Sequence, residues 1–243
     1  MKRIVVHLGA HKTGTTSFQS WFEEHKHVLQ DKMYCYNLHD GSSEPLKHAC
    51  YALVRSDGCD HALRRCLRWM NWQIRCLRQD TVLVTDEGIL GPPLGWSSRK
   101  KKISTAYQYA ELIVRAISEE WSDYDVTFIF YQREKQAWLK SAWGQMNREG
   151  RFKNSLEKFN RRYGGDFSWE EISTQIEAGI IRPHKFELVN FDDEFSTQSV
   201  ADKRLVQLLG LPDSLLASCS NRLSHSNRTP DQIENKKWWQ FNL

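Results

Sequence analysis

The chain reads as an α/β protein, with a central parallel sheet held between helices in three layers. Three observations predict this. The apolar runs at 4–8, 81–85 and 126–131 are short, rich in Val and Ile, and barely alternate with polar residues, the pattern of strands buried on both faces. Longer segments between them space their apolar residues as helices do. Strand and helix alternate along the chain, which implies parallel β-α-β units with right-handed crossovers.

In order, the run from Ile4 to Leu8 closes at Gly9 and predicts a buried strand. The segment 17–29, with Phe18, Trp21, Phe22 and Val28, predicts a helix. A second short strand is expected over 33–37, then helices over 45–54 and 59–77, the latter studded with Arg and so wet on one face. Thr81 to Thr85 is the next strand, followed by Asp86-Glu87-Gly88 and a loop rich in Gly and Pro. The basic run Arg99-Lys100-Lys101-Lys102 leads into a helix expected over 104–121. A strand at 126–131 and a helix at 134–146 follow. Beyond Gly150 the periodicity weakens, leaving a helix at 169–178, a strand at 186–189 and a helix at 201–209 closed by Gly210. With no repeats and no linker, one domain over 1–243 is expected, its ligand site at the carboxyl ends of the strands.

The 243 residues suffice for a full core. The net charge of +4, spread along the chain, does not mark a nucleic-acid binder but suits anionic small molecules. There is no apolar segment of signal-peptide or membrane-spanning length, so a soluble, cytoplasmic protein is expected. Six Cys without a C-x-x-C pair argue against a disulfide scaffold. His48, Cys50, Cys59 and His61 fit no standard zinc spacing, and apolar filling by buried thiols is the preferred reading.

The chemistry concentrates in Gly9-Ala10-His11-Lys12-Thr13-Gly14-Thr15-Thr16-Ser17, where a strand hands over to a helix N-terminus. Backbone N–H groups converge in such a turn and the helix dipole adds positive potential. Glycine lets the backbone close around an anion, Thr and Ser donate hydroxyl hydrogen bonds, and Lys12 supplies a full charge. A Walker A loop places Lys after its second Gly, whereas Lys12 precedes Gly14. The K-T-G-T-T order after a hydrophobic strand instead resembles the 5'-phosphosulfate loop of sulfotransferases that use 3'-phosphoadenosine-5'-phosphosulfate (PAPS). The string from His7 to Gln19 resembles bacterial members acting on polysaccharides or glycolipids.

That resemblance implies a P-loop-like fold and a second site, for the 3'-phosphate of PAPS, built from an Arg after a later strand and a Ser about two turns into the next helix. Arg133, after Thr127-Phe128-Ile129-Phe130-Tyr131-Gln132, and Ser141 resemble that pair. Arg133 offers forked donors to phosphate. The segment Asn221-Arg222-Leu223-Ser224 is a candidate counterpart of the family's adenosine-side stretch. The donor-binding set is then Gly9, Lys12, Thr13, Gly14, Thr15, Thr16, Ser17, Arg133 and Ser141.

The implied reaction passes the sulfuryl group of PAPS to an acceptor hydroxyl and releases 3'-phosphoadenosine-5'-phosphate (PAP), without a required metal. Lys12 is expected to neutralise the bridging oxygen, and Glu87 is the first candidate for the base, with His11 and His7 as alternatives. The acceptor is expected to meet irregular segments at 40–43, 88–102 and 147–165; tryptophans such as Trp96, Trp138 and Trp143 suggest flat faces for sugar rings, with core packing the default for any one of them. Trp238-Trp239 beside Lys236-Lys237 leaves a peripheral membrane or subunit contact open. Two rivals remain: a nucleotide kinase or ATPase with Asp86 and Glu87 on a metal, and a non-catalytic PAP-binding module.

Overall fold

The computed structural model describes residues 1–10, 15–37, 40–92, 97–98, 101–102, 107–165, 168–195 and 203–211. Its elements are β1 (Arg3–His7), α1 (Thr15–Leu29), β2 (Met33–Tyr36), α2 (Glu44–Arg55), α3 (His61–Cys76), β3 (Thr81–Thr85), the two-residue strands β4 (Ser97–Ser98) and β5 (Lys101–Lys102), α4 (Ala110–Glu120), β6 (Asp125–Gln132), α5 (Lys135–Arg148), α6 (Leu156–Tyr163), α7 (Trp169–Gly179), β7 (Lys185–Asn190), α8 (Phe191–Phe195) and α9 (Lys203–Leu208).

Five strands form a wholly parallel sheet in the order β2-β3-β1-β6-β7. Because successive side chains point to opposite faces, each central strand feeds two cores. Ile4, Val6, Val82, Val84, Val126, Phe128 and Phe130 face one core, with α2, α3, α4, α5, α6 and α7. Val5, Leu83, Ile129 and Tyr131 face the other, with Trp21, Phe22 and Leu29 of α1 and Leu205 and Val206 of α9. Burial on both faces is why these strands carry unbroken apolar runs. This is the three-layer, P-loop-like α/β architecture.

Three differences from the sequence reading have physical causes. The segment 147–165, expected to be irregular, contains α6, which Ser155 caps by accepting the Lys158 N–H. Its eight residues bury only Phe159 and Tyr163, too few turns for a helical period to show. Lys101–Lys102 pairs antiparallel with Ser97–Ser98 instead of opening a helix, and α4 begins only at Ala110, after Tyr107 at φ 55°. Trp138 follows the default of core packing, fully buried with its ring edge-on to Trp169 at 5.4 Å; Trp96 lies outside the described residues. Among the thiols, Cys35 and Cys50 fill the cores, but Cys59 is exposed, as is His48.

One polar cluster crosses the central strands. His7, fully buried, sets Nδ1 3.0 Å from Thr85 Oγ1 on β3 and lies edge-on to Tyr131 of β6, centroids 5.2 Å apart. Burial pushes its pKa down to about 3, so the imidazole is neutral in the fold and packs as a structural side chain. Unfolded, it binds a proton below about pH 6.5. Its contribution to stability is therefore complete above that pH and is lost as pH falls toward 3, with a limiting slope of about 1.4 kcal/mol per pH unit. A His7→Gln variant should show a flatter decline of unfolding free energy between those limits, measured by urea titration at successive pH values. Equal slopes in the two proteins would contradict a neutral, buried His7.

Candidate functional site

The carboxyl ends of β3, β1 and β6 stand side by side, and each presents residues singled out in the sequence. From β1, the Leu8 N–H donates to Ile129 O at 2.8 Å, extending the ladder past the strand, and Gly9 and Ala10 follow, both buried. His11, Lys12, Thr13 and Gly14 lie outside the described residues. Helix α1 then begins at Thr15, so Thr15, Thr16 and Ser17 form its first turn, where backbone N–H groups have no partner within the helix. The Gln19 side chain, almost fully buried, donates from Nε2 to Thr85 O at 3.3 Å, tying that turn to β3.

β6 is the direct neighbour of β1, with His7 opposite Ile129. It runs on through Phe130, Tyr131 and Gln132, paired there to β7. Arg133 therefore stands about 13 Å beyond Ile129, on a strand about 4.8 Å from β1. The two exits leave in opposite directions: α1 packs on the face of Val5, whereas Trp138, Leu139 and Met146 of α5 pack on the face of Ile4 and Val6. Adjacent strands whose connections diverge in this way leave a crevice at their carboxyl ends.

Arg133 is held by α8, the short helix that follows β7. Its Nε lies 3.6 Å from Asp192 Oδ1, and its guanidinium carbon sits 5.1 Å from the centroid of the Phe191 ring. Asp192 Oδ2 also accepts the Glu134 N–H at 2.7 Å. With 28% of its side chain exposed, Arg133 is half-buried, its guanidinium near an aromatic ring and its Nε toward a carboxylate. Glu134 caps α5, accepting the N–H groups of Gln136 and Ala137, and those bonds hold its carboxyl below the usual range. Ser141, half-buried, follows Glu134 by seven residues, almost two full turns. It therefore shares the cap's helix face, about 10 Å along the axis.

Past β3, the two acidic neighbours differ. Asp86 is fully buried; its Oδ2 accepts from Ser43 Oγ at 2.7 Å and its Oδ1 from the Gly88 N–H at 2.8 Å. Burial raises its pKa, against the lowering effect of Ser43, Gly88 and the nearby Lys47 charge. Ser43 stands at the N-cap of α2 but makes no side-chain cap; its hydroxyl goes to Asp86, joining β3 to the start of α2. Glu87 is half-buried beside it. The Tyr51 phenol, its pKa raised first by burial and then by the charges of Asp86 and Glu87, also feels Arg151, which opposes them. Tyr51, Glu87 and Arg151 thus share one neighbourhood at this edge of the sheet.

Sequence reasoning had Gly9, the first turn of α1, Glu87 and Arg133 on these ends. It missed Asp192 and Phe191, Ser43 and Tyr51. A signal existed for the first pair: Asn190-Phe191-Asp192-Asp193 is a polar step directly after an apolar strand. Ser43 and Tyr51 are ordinary helix-start and helix residues until the fold brings them to β3. Among the described residues, no group of three His, Cys, Asp or Glu is placed to hold a metal ion, and no helix is long and apolar enough to cross a membrane.

No protein-family model matches the chain, and no curated protein does. Solved structures do. A sulfotransferase from Alicyclobacillus acidocaldarius is matched at a TM-score of 0.49 and 12% identity, covering 95% of this chain and 88% of that one. Mouse sulfotransferase SULT7A1, complexed with PAP, is matched at a TM-score of 0.50 and 11% identity, over 96% of this chain and 70% of that one. At such identity the match is one of fold: the chain shares the parallel-sheet α/β architecture of the mouse enzyme.

Proposed function

We propose that the chain, as one domain over 1–243, is a PAPS-dependent sulfotransferase that moves a sulfuryl group to an acceptor hydroxyl on a carbohydrate or glycolipid. The observation that carries this reading is the adjacency of β1 and β6. The end of β1, from which the chain enters the K-T-G-T-T segment, lies beside the strand that leads to Arg133, which supports a donor with phosphates at both ends. The PAP complex of the mouse protein of like fold supports the same donor.

In this reading Gly9, Thr13, Gly14, Thr15, Thr16 and Ser17 hold the 5'-phosphosulfate against the N-terminus of α1. Arg133 and Ser141 take the 3'-phosphate, which replaces the Asp192 carboxylate on the guanidinium or shares it. The acceptor oxygen attacks sulfur in line, and the bond from sulfur to the bridging oxygen breaks. Its electron pair stays on the 5'-phosphate of PAP, where Lys12 neutralises the charge. Glu87 receives the acceptor proton, with His11 the alternative base. No step calls for a metal ion, since a sulfuryl group carries less charge than a phosphoryl group. Tyr51 and Arg151, beside Glu87, line the acceptor side.

A kinase or ATPase reading would set Asp86 on a metal. Both oxygens of that carboxylate already accept hydrogen bonds from Ser43 and Gly88, which favours an anchoring role. The non-catalytic reading is separated by turnover. Incubation with PAPS and a panel of glycans and glycolipids, read by mass, should give sulfated product. Lys12→Ala should lose roughly 100- to 1,000-fold in kcat, and Glu87→Gln on the order of 100-fold or more, with unfolding midpoints unchanged. Full activity in Lys12→Ala would remove the loop from the chemistry, and tight PAP binding without transfer to any acceptor would favour a binding module.

A further inference from the structure

The largest exposed aromatic surface of the described residues lies away from the strand ends, on α3. That helix buries Leu63, Leu67, Met70 and Ile74. Its opposite stripe carries Arg65, Arg68, Trp69, Trp72, Arg75 and Cys76, all exposed, with Trp69 45% and Trp72 64% accessible. Spacings of three and four place them on one face, about 16 Å long. Exposed Arg78 continues it. The other exposed large hydrophobics of the described residues, Met1, Val28, Leu112, Ile181 and Leu188, fall singly on separate segments.

The helix itself carries charge of one sign, the carboxylates beside it coming from Asp60, Glu119 and Asp123 on flanking segments. Residues 61–79 hold five Arg and neither Asp nor Glu. Arg64 is matched by Asp60 and Glu119, and Arg75 by Asp123, but Arg65, Arg68 and Arg78 make no ion pair among the described residues. Two protruding indoles on one helix face expose apolar area to water beside three guanidiniums that make no ion pair among the described residues. A second copy is a poor occupant, because a two-fold contact sets a patch against itself and would bring Arg against Arg. A single glycan chain needs a concave platform, whereas this face is the outside of a helix. A planar, anionic, partly apolar surface suits both the shape and the charge.

We propose that the outer face of α3 docks the protein on a lipid bilayer containing anionic lipids, with Trp69 and Trp72 entering the headgroup region and Arg65, Arg68 and Arg78 pairing with lipid phosphates. Tryptophan is at home at that interface, with an apolar ring and one N–H donor. Basic side chains add attraction that fades beyond a Debye length. The proposal stands whether or not the chain transfers sulfate.

The test is co-sedimentation of the full chain with phosphatidylcholine vesicles, with and without phosphatidylglycerol. The protein should partition onto the anionic vesicles. Arg65→Gln/Arg68→Gln should weaken this by roughly fivefold per arginine, and Trp69→Ala/Trp72→Ala should remove the part that survives high salt. Both variants should keep the parent's circular dichroism and unfolding midpoint; the charge pair serves alone if the Trp pair fails to fold. No partition of the parent would overturn the proposal, as would partition unchanged in both variants, which would place the contact on another segment. So would a dimer in vesicle-free sedimentation, or retention by an anionic polysaccharide without vesicle binding, if either is lost in Trp69→Ala/Trp72→Ala.

Discussion

Everything at the carboxyl edge depends on the parallel pairing of β1 with β3 on one side and β6 on the other. That pairing is fixed twice. The backbone ladders set Arg3 to His7 against Thr81 to Thr85 and Asp125 to Ile129, and the side chains of all three strands fill cores on both faces. A one-residue slip of β1 would exchange its two faces, pushing the Val5 position toward α2 to α7 and the Ile4 and Val6 positions toward α1 and α9. The His7, Thr85 and Tyr131 cluster adds a polar check on the same register. The exits of β3, β1 and β6 therefore hold their relative places.

Upon that frame the charges divide by function. Asp86 is withdrawn from solvent and consumed by Ser43 and the Gly88 amide, so it holds β3 to α2. Arg133, at the other side of β1, is laid on Phe191 and steadied by Asp192. A half-buried guanidinium resting on a ring loses less freedom when it takes an oxyanion than an extended surface arginine does. Asp192 also binds the amide of Glu134, linking α8 to the start of α5. It both positions Arg133 and lowers the net positive charge an incoming phosphate would meet. Glu87 lies between these extremes, half-buried beside Tyr51 and Arg151.

The central strands were legible because burial on both faces writes itself as runs such as Ile4-Val5-Val6 and Val82-Leu83-Val84, and α5 because Glu134 and the Trp138, Leu139, Ala142 spacing mark a start and a face. The places of Gly9, Glu87 and Arg133 followed, since strand ends are easy to locate. What stayed hidden was set by tertiary partners. Nothing local to Ser43 announces a bond to a carboxylate 43 residues on, and nothing local to Trp138 names Trp169 as the ring it packs against. The Lys101–Lys102 strand is too short for any period to show. The exposed Trp69 and Trp72 were masked differently: α3 was legible as a helix with a wet, Arg-bearing face, but the indoles sit on that face and not on the buried one.

The account rests on one nucleotide bridging the β1 and β6 exits, and calorimetric titration of PAP against adenosine 5'-phosphate tests it most directly. The two ligands share everything except the 3'-phosphate that Arg133 is proposed to hold. The account predicts that the parent protein binds PAP more tightly by roughly tenfold or more, the scale of a charge-assisted phosphate contact, and that Arg133→Ala brings the two affinities together. Equal affinities in the parent, or a preference for PAP that survives Arg133→Ala intact, would contradict it.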